Sequence, residues 1–211
     1  STAIVKGDSN SSSNEGVRHG ILWQPTEDLK VDLIYGSQKN DVDNGSNSLI
    51  SLSGDQVLGY QMSYLNTPAT ERSYLEYSNL VIEYDFGWAT LLSSSSLLNN
   101  EGNALSNNFS LIRDSFFGPV QFDSTQDTNL KTQEIRLASN LNGQWEYLAG
   151  LFYEKSELNG TDLFDWVGTI TENPFGQKRL LHVLTDLNYE QKAIFGEVSY
   201  AFDEQWELTL G

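Results

Sequence analysis

Hydrophobic and polar residues alternate along this chain in short runs, and the runs come in pairs. The clearest pair lies at 132–153, reading TQEIRLASNLNGQWEYLAGLFY. On its first arm Gln133, Ile135 and Leu137 share one side, while Glu134 and Arg136 take the other. After Asn140-Leu141-Asn142-Gly143, the residues Trp145, Tyr147, Ala149, Leu151 and Tyr153 share a side, opposed by Glu146, Gly150 and Glu154. Side chains alternate across a strand, so period two on both arms, joined by Asn-Gly chemistry, predicts a β-hairpin.

Three more hairpins follow from the same reasoning. At 17–24, Val17, His19, Ile21 and Trp23 oppose Arg18, Gly20 and Gln24. A turn at 25–28 leads to 29–38, where Leu29, Val31, Leu33 and Tyr35 oppose Lys30, Asp32, Gly36 and Gln38. Strands at 73–84 and 88–97 flank Asp85-Phe86-Gly87, although the run Ser93 to Ser96 blurs the faces of the second. At 191–202, Ile194, Val198, Tyr200 and Phe202 oppose Gln191, Glu197 and Ser199. Asp203-Glu204-Gln205 then turns the chain into Trp206, Leu208 and Leu210, against Glu207 and Thr209. Residues 1–15, rich in Ser and Asn, read as a loop or linker.

The connections decide what the apolar faces meet. The odd ones have roughly three or four residues, and the even ones, 39–72, 98–130 and 155–189, run to over thirty. All the short turns must then lie at one end of the sheet and all the long loops at the other. Structureless loops beyond about 12–15 residues are uncommon in compact soluble domains, whereas outer-membrane barrels combine short periplasmic turns with long outer loops. The expected fold is therefore all-β, an antiparallel up-and-down section of a transmembrane β-barrel covering 16–211. Trp23, Tyr84, Trp145, Tyr200 and Trp206 sit near short turns, and Tyr35 and Tyr153 near the expected far ends of their strands. Two aromatic levels around an aliphatic band match a lipid-facing wall. Leu33, Tyr35, Ile135, Leu137, Trp145, Tyr147, Leu151, Val198, Tyr200 and Trp206 are assigned to lipid. Glu134, Arg136, Glu146 and Glu197 are assigned to the lumen, with Arg18, Lys30, Asp32 and Glu83 on the same side.

Composition narrows the function. The chain of 211 residues has 12 Lys+Arg against 29 Asp+Glu, a net charge of −17. That balance argues against nucleic-acid binding, which needs a basic surface. There is no cysteine, hence no disulfide and no thiolate metal ligand. Mean hydropathy is −0.40, a value compatible with barrel strands, whose alternation gives a weak hydropathy signal. No signal peptide is visible at STAIVKG, and the chain ends inside an alternating run, QWELTLG, so a fragment is expected.

The motifs resemble a known family. TQEIRLAS followed by WEYLAGLFY is similar to a hairpin of the TonB-dependent outer-membrane receptors, with Tyr147 where that pattern has Trp. GILWQPTEDLKVDL resembles their L-W-x-P-T-D-D-L hairpin, with Glu27 for the first Asp. NLVIEYDFGWATLLSSSS resembles their Y-D-F-G-x-A-T-L-x-S hairpin. KAIFGEVSYAFDEQWELTLG resembles a further one, with Asp203-Glu204 in place of Thr-Asp. The resemblance covers the strands from about residue 16 onward. It implies an outer-membrane location in a Gram-negative bacterium and a plugged barrel of the 22-stranded class. It also implies energy coupling through TonB–ExbB–ExbD by way of a plug domain absent from this chain. The implied substrate is a small molecule or glycan: a ferric siderophore, haem, cobalamin or a glycan.

Candidate chemistry is sparse, and a transporter rather than an enzyme is expected. No catalytic constellation, cofactor site or metal site stands out. Asp41-x-Asp43-x-Gly45 resembles a calcium loop, but its Gly comes too early and the closing Glu is missing, so a solvated loop is the better reading. His19 on a strand and His182 in a loop lack Cys or His partners. Glu134 and Arg136 either line a substrate route or form an inward ion-pair ladder with Arg18 and Glu146. In the long loops Phe109, Phe116, Phe117, Phe122, Phe164, Trp166 and Phe175 either grip an apolar ligand or pack the loops together. Two alternatives stand beside the receptor: an autonomous eight-stranded outer-membrane barrel acting as an adhesin or structural protein, and a soluble β-sandwich binding module. Pairing of the first strand with the last would favour the small closed barrel. The lipid assignment predicts that a charge at Leu137 or Ala149 costs about 2–4 kcal/mol of insertion near the midplane. Equal insertion of wild type and Ala149→Arg in the whole receptor would count against it.

Overall fold

Alternating strands joined by tight turns can satisfy their backbone only by pairing side by side, and they do so here in strict sequence order. The computed structural model describes residues 11–43, 69–106, 120–140, 143–166, 176–203 and 205–211. Within them lie β1 (Ser12–Trp23), β2 (Leu29–Asp43), β3 (Thr70–Asp85), β4 (Ala89–Ser106), β5 (Val120–Ser139), β6 (Trp145–Trp166), β7 (Arg179–Ala201) and β8 (Glu207–Leu210). They form one eight-stranded antiparallel sheet in the order β1 to β8. Among the described residues there is no helix.

Register keeps two chemically distinct faces. Leu33 opposes Ile21 on one side and Leu80 on the other, and Ile135 opposes Leu151, which opposes Ile194. Tyr147 opposes Val198, and Val198 opposes Leu210. Arg136 opposes Gly150 and Leu92 on the second face. One largely apolar face thus crosses all eight strands, interrupted by Ser93 and Ser95 of β4 and Gln133 of β5. A slip of one residue in any pairing would put its side chains on the wrong side.

The short turns are built by side chains that satisfy their own backbone. Asp85 accepts from the Gly87 amide at 2.7 Å, and Gly87 takes φ +83, a value that favours glycine. Asp203 accepts from the amides of Gln205 and Trp206, and Thr26 from that of Leu29. Neighbouring turns also brace one another. Asn140 donates to Asp85 at 2.7 Å and accepts from Thr90 at 2.8 Å. Leu141 and Asn142 lie outside the described residues.

Three expectations are corrected. The strands run much further than the alternation shows: β5, β6 and β7 have 20, 22 and 23 residues. Only 44–69, 107–119 and 167–178 separate strands at the far end. Tyr35 and Tyr153 are therefore mid-strand, His182 lies on β7 rather than in a loop, and β1 already begins at Ser12. The small closed barrel falls because no pairing joins β1 to β8 among the described residues. The sandwich falls because, among the described residues, no second sheet covers either face. Each strand's substantial contacts are with its sheet neighbours, and Ile194 stays 85% exposed.

The ambiguous serine run resolves into two amide-centred clusters. Gln133 donates to Ser93 at 3.0 Å and accepts from Ser95 on the apolar face. Asn79 donates to Ser94 at 3.3 Å and Ser96 at 2.7 Å on the other.

Glycine is required where aromatic rings lie flat on the second face. A Cβ at Gly36 would collide with the Tyr77 ring, and one at Gly150 with the Phe195 ring. Gly150→Val should destabilise the whole barrel by about 1–3 kcal/mol through overpacking. Denaturant unfolding in detergent micelles would measure it, and an unshifted midpoint would show that Phe195 can move aside.

Candidate functional site

The apolar face is a band of limited height. On β6 it reads Trp145, Tyr147, Ala149, Leu151 and Tyr153, then changes to Lys155, Glu157, Asn159 and Thr161. On β7 it reads Tyr200, Val198, Gly196 and Ile194, then Lys192, Glu190, Asn188 and Asp186. At about 3.3 Å per residue, 145–153 covers roughly 30 Å along the strand. With a tilt of about 45° that becomes roughly 20 Å, close to the ~25 Å apolar belt of a membrane barrel. The remaining thirteen or so residues of β6 carry polar groups on this face except at Leu163 (roughly 40 Å of further strand).

Aromatic rings rim the band at the short-turn end. Trp145 and Tyr200 lie 4.6 Å apart between centroids, and Tyr200 meets Phe202 at 4.9 Å. Tyr84, Phe86 and Trp88 form a second group, with spacings of 4.7 and 6.0 Å. Leu33, Tyr35, Ile135, Leu137, Trp145, Tyr147, Leu151, Val198, Tyr200 and Trp206 all fall on this one face.

Glu134, Arg136, Glu146 and Glu197 fall on the other face, but the expected ladder does not form. Arg136 pairs with Glu134 of its own strand at 3.7 Å. Arg18 is on β1, four strands from β5, where it opposes Gly36, and Glu146 opposes Ser199. Opposite charges do face each other directly at Lys30 and Glu83.

The second face changes character toward the loop end. A row of Tyr77, Leu98, Leu130 and Tyr189 crosses β3 to β7 with Ser156 between the last two. Above it a shallow depression of about 690 Å³ is centred on Ser73, Gly102, Gln126, Gly160 and Thr185. Gly102 and Gly160 carry no side chain, so the floor there is backbone. Two rows higher, roughly 13 Å along the strand, Phe122 and Phe164 meet with centroids 4.9 Å apart. Beyond them Val120 opposes Trp166, and each is only 5% exposed. The Trp166 amide donates to the Lys178 carbonyl at 2.7 Å, and Arg179 forks onto Asp165.

These aromatics correct the loop assignment. Phe122, Phe164 and Trp166 are on the ends of β5 and β6, on the face opposite the band. Their period-two spacing in Val120-Gln-Phe122 and Phe164-Asp-Trp166 is the signal that marks them as strand. Phe109, Phe116, Phe117 and Phe175 lie outside the described residues. The glycine-floored depression was not foreseen; its signal is Gly102 and Gly160 falling in one row of polar strands, on either side of Gln126. Asp41 is no loop ligand either: it sits on β2, held by Lys39 at 2.7 Å and Arg72 at 3.4 Å.

Just past the band, lysines gather on its face. Lys131 of β5 directly opposes Lys155 of β6, and Lys192 of β7 opposes Tyr153. Lys155 bonds Glu157 at 2.5 Å and Lys192 bonds Glu190 at 2.6 Å. These bonds, with the lysine charges, hold both carboxyls below the usual range.

No family model and no curated protein matches the chain. Its fold does match solved structures. The RagAB peptide importer in the closed-closed state aligns at a TM-score of 0.51 and 13% identity, over 92% of this chain and 26% of that one. The open-open state aligns at 0.53 and 13% identity, over 94% and 27%. The chain thus has the fold of part of that importer and spans about a quarter of its length.

If Phe122 and Phe164 act as one aromatic surface, their truncations to Ala should couple by about 0.5–1.5 kcal/mol in a double-mutant cycle on the whole protein's unfolding. Strict additivity would mean that the rings contribute separately.

Proposed function

We propose that this chain is a section of the barrel wall of a TonB-dependent outer-membrane receptor that takes up a scarce nutrient. The observation that carries the reading is the band. An eight-stranded sheet with mostly apolar residues on one face, rimmed by aromatics and covered by no other described residue, needs lipid on that side. The open edges at β1 and β8 call for further strands to continue the wall. The motif resemblance and the fold of a peptide importer support uptake as the purpose.

On this reading the band residues meet lipid, and Glu134, Arg136, Glu146 and Glu197 face a plugged lumen. The second face would contact the plug and the passing cargo; the plug would answer to TonB–ExbB–ExbD. The strand ends beyond the band stand outside the membrane. There Phe122, Phe164 and the depression at Gly102 and Gly160 combine an apolar lip with a floor of backbone amides and polar groups. Such a surface suits an extended chain with both kinds of group, so a peptide joins the siderophores, haem, cobalamin and glycans as candidate cargo. The reading assigns the chain transport and no catalysis.

The absence of cysteine makes topology directly testable. In the whole receptor with any other cysteines replaced, a membrane-impermeant maleimide should label Thr161→Cys on intact cells, and Thr26→Cys only after lysis. Labelling of neither on intact cells, with the protein in the soluble fraction, would overturn the membrane reading. Uptake of a labelled oligopeptide pool should fall to background when TonB is deleted, and undiminished uptake would overturn the energy coupling.

A further inference from the structure

We propose that the loop-side part of the second face binds a cationic peptide, whose apolar side chains rest on Leu158, Leu187 and Tyr189 and whose basic groups meet Glu154 and Asp162. The inference rests on the uptake reading above and narrows the cargo to one class.

The first observation is apolar surface on the side that lipid does not reach. The row of Tyr77, Leu98, Leu130 and Tyr189 is followed toward the loop end by a row that holds Leu75, Leu158 and Leu187. Polar residues bound this belt. Asn79, Ser96, Thr132 and Gln191 lie in the row below it, and the glycine-floored depression lies above. Leu187 is nevertheless 60% exposed and Tyr189 52%. An apolar patch with a polar rim marks a surface that another molecule covers. Leu130 adjoins Lys131, so the belt is level with the loop-side edge of the band. Cargo arriving from outside reaches that level as it enters the barrel.

The second observation is charge. From the row of Glu154 to the row of Asp162, the charged residues on this face of β2 to β7 are Glu71, Glu154 and Asp162. All are acidic, and none forms an ion pair with a described residue. Asp162 accepts from the Ser124 hydroxyl at 2.6 Å. Basic residues on these strands stand nearer the short turns, where Lys30 faces Glu83 and Arg136 pairs with Glu134. Arg18 is on β1, at the edge of the sheet remote from β6. The surface therefore offers apolar contact and unspent negative charge together, which complements a ligand that is apolar and cationic.

Spacing selects the class. Glu154, Leu158 and Asp162 share the face of β6 at four-residue intervals, roughly 13 Å each. An extended peptide repeats that interval, with every fourth side chain on the same side. Haem, through its carboxylates, and anionic siderophores would meet like charge here. A neutral glycan would leave the leucines without a partner. A peptide with lysine or arginine on either side of an apolar residue satisfies all three positions, through charge-assisted hydrogen bonds at the ends and burial between them.

The test uses the whole receptor purified in non-ionic detergent. Its probes are fluorescent nonapeptides with blocked ends, KSGLLLGSK, ESGLLLGSE and KSGSSSGSK, followed by anisotropy. Wild type should bind KSGLLLGSK at least about tenfold more tightly than either other peptide, and the preference over ESGLLLGSE should shrink with added salt. E154Q/D162N should lose about tenfold for KSGLLLGSK, and Leu187→Ser severalfold. Asp123→Asn, a carboxylate removed from the other face, should change nothing. The three peptides need only wild type, so the test stands even if a variant fails to fold. Equal binding of all three, or a preference for ESGLLLGSE, would overturn the site. So would unaltered affinity in E154Q/D162N, or an equal loss in Asp123→Asn, which would reveal only the general field of an acidic protein. Leu187→Ser with unchanged peptide affinity but a lowered unfolding midpoint would assign the belt to the plug instead, and overturn the cargo site. Uptake separates the two readings. TonB-dependent uptake without peptide discrimination defeats this site alone, whereas selective binding of KSGLLLGSK with no TonB-dependent uptake defeats the uptake reading.

Discussion

Register is the constraint on which everything else in this sheet depends. Neighbouring strands are joined by backbone hydrogen bonds, and among the described residues no second layer fixes them from above or below. Cross-strand partners such as Ile135 with Leu151, and Leu151 with Ile194, stay on one face only while every ladder holds its alignment. The turns set that alignment. Asp85, Asp203 and Thr26 each close a turn with a side-chain oxygen that accepts from a backbone amide two or three residues on, and Asn140 ties one turn to the next. The apolar band, its aromatic rim and the charged second face follow from four short connections at one end.

The same constraint explains the distribution of glycine and bulk. Where an aromatic ring must lie flat, the strand beside it gives up its side chain, as Gly36 does for Tyr77 and Gly150 for Phe195. Where the band face must carry a polar run, a neighbouring amide satisfies it, as Gln133 does for Ser93 and Ser95. Both are local solutions within one face, and neither disturbs the pairing.

The inner half of each hairpin is legible in the sequence because one face there is apolar and the other is not. Leu33, Tyr35, Trp145 and Tyr200 announce period two, and Asn-Gly or Asp-Phe-Gly announces the turn. The outer halves are silent for a physical reason. Past Tyr153 both faces of β6 are polar for several residues, so Lys155, Glu157, Asn159 and Thr161 alternate with Glu154, Ser156, Gly160 and Asp162 without contrast. Stretches such as Asp123 to Asn129 read as loop by composition, though tertiary pairing makes them strand. The aromatics Phe122, Phe164 and Trp166 were visible as candidates, but their place on strand ends became clear only once the pairing extended to them. The depression depends on glycines of β4 and β6 that share a row with Gln126 of β5 between them, and no single stretch carries that information.

Strict nearest-neighbour order has a consequence for how such a wall is made and changed. Each strand finds its partner in the segment next to it in the chain, so loop closure is cheap and assembly can advance one hairpin at a time. The hairpin is then also the natural unit of variation. Copying or losing one adds or removes two strands of circumference and leaves every other ladder untouched. A sheet built this way can change its width by duplication alone, because among the described residues no second layer has to be repacked to match.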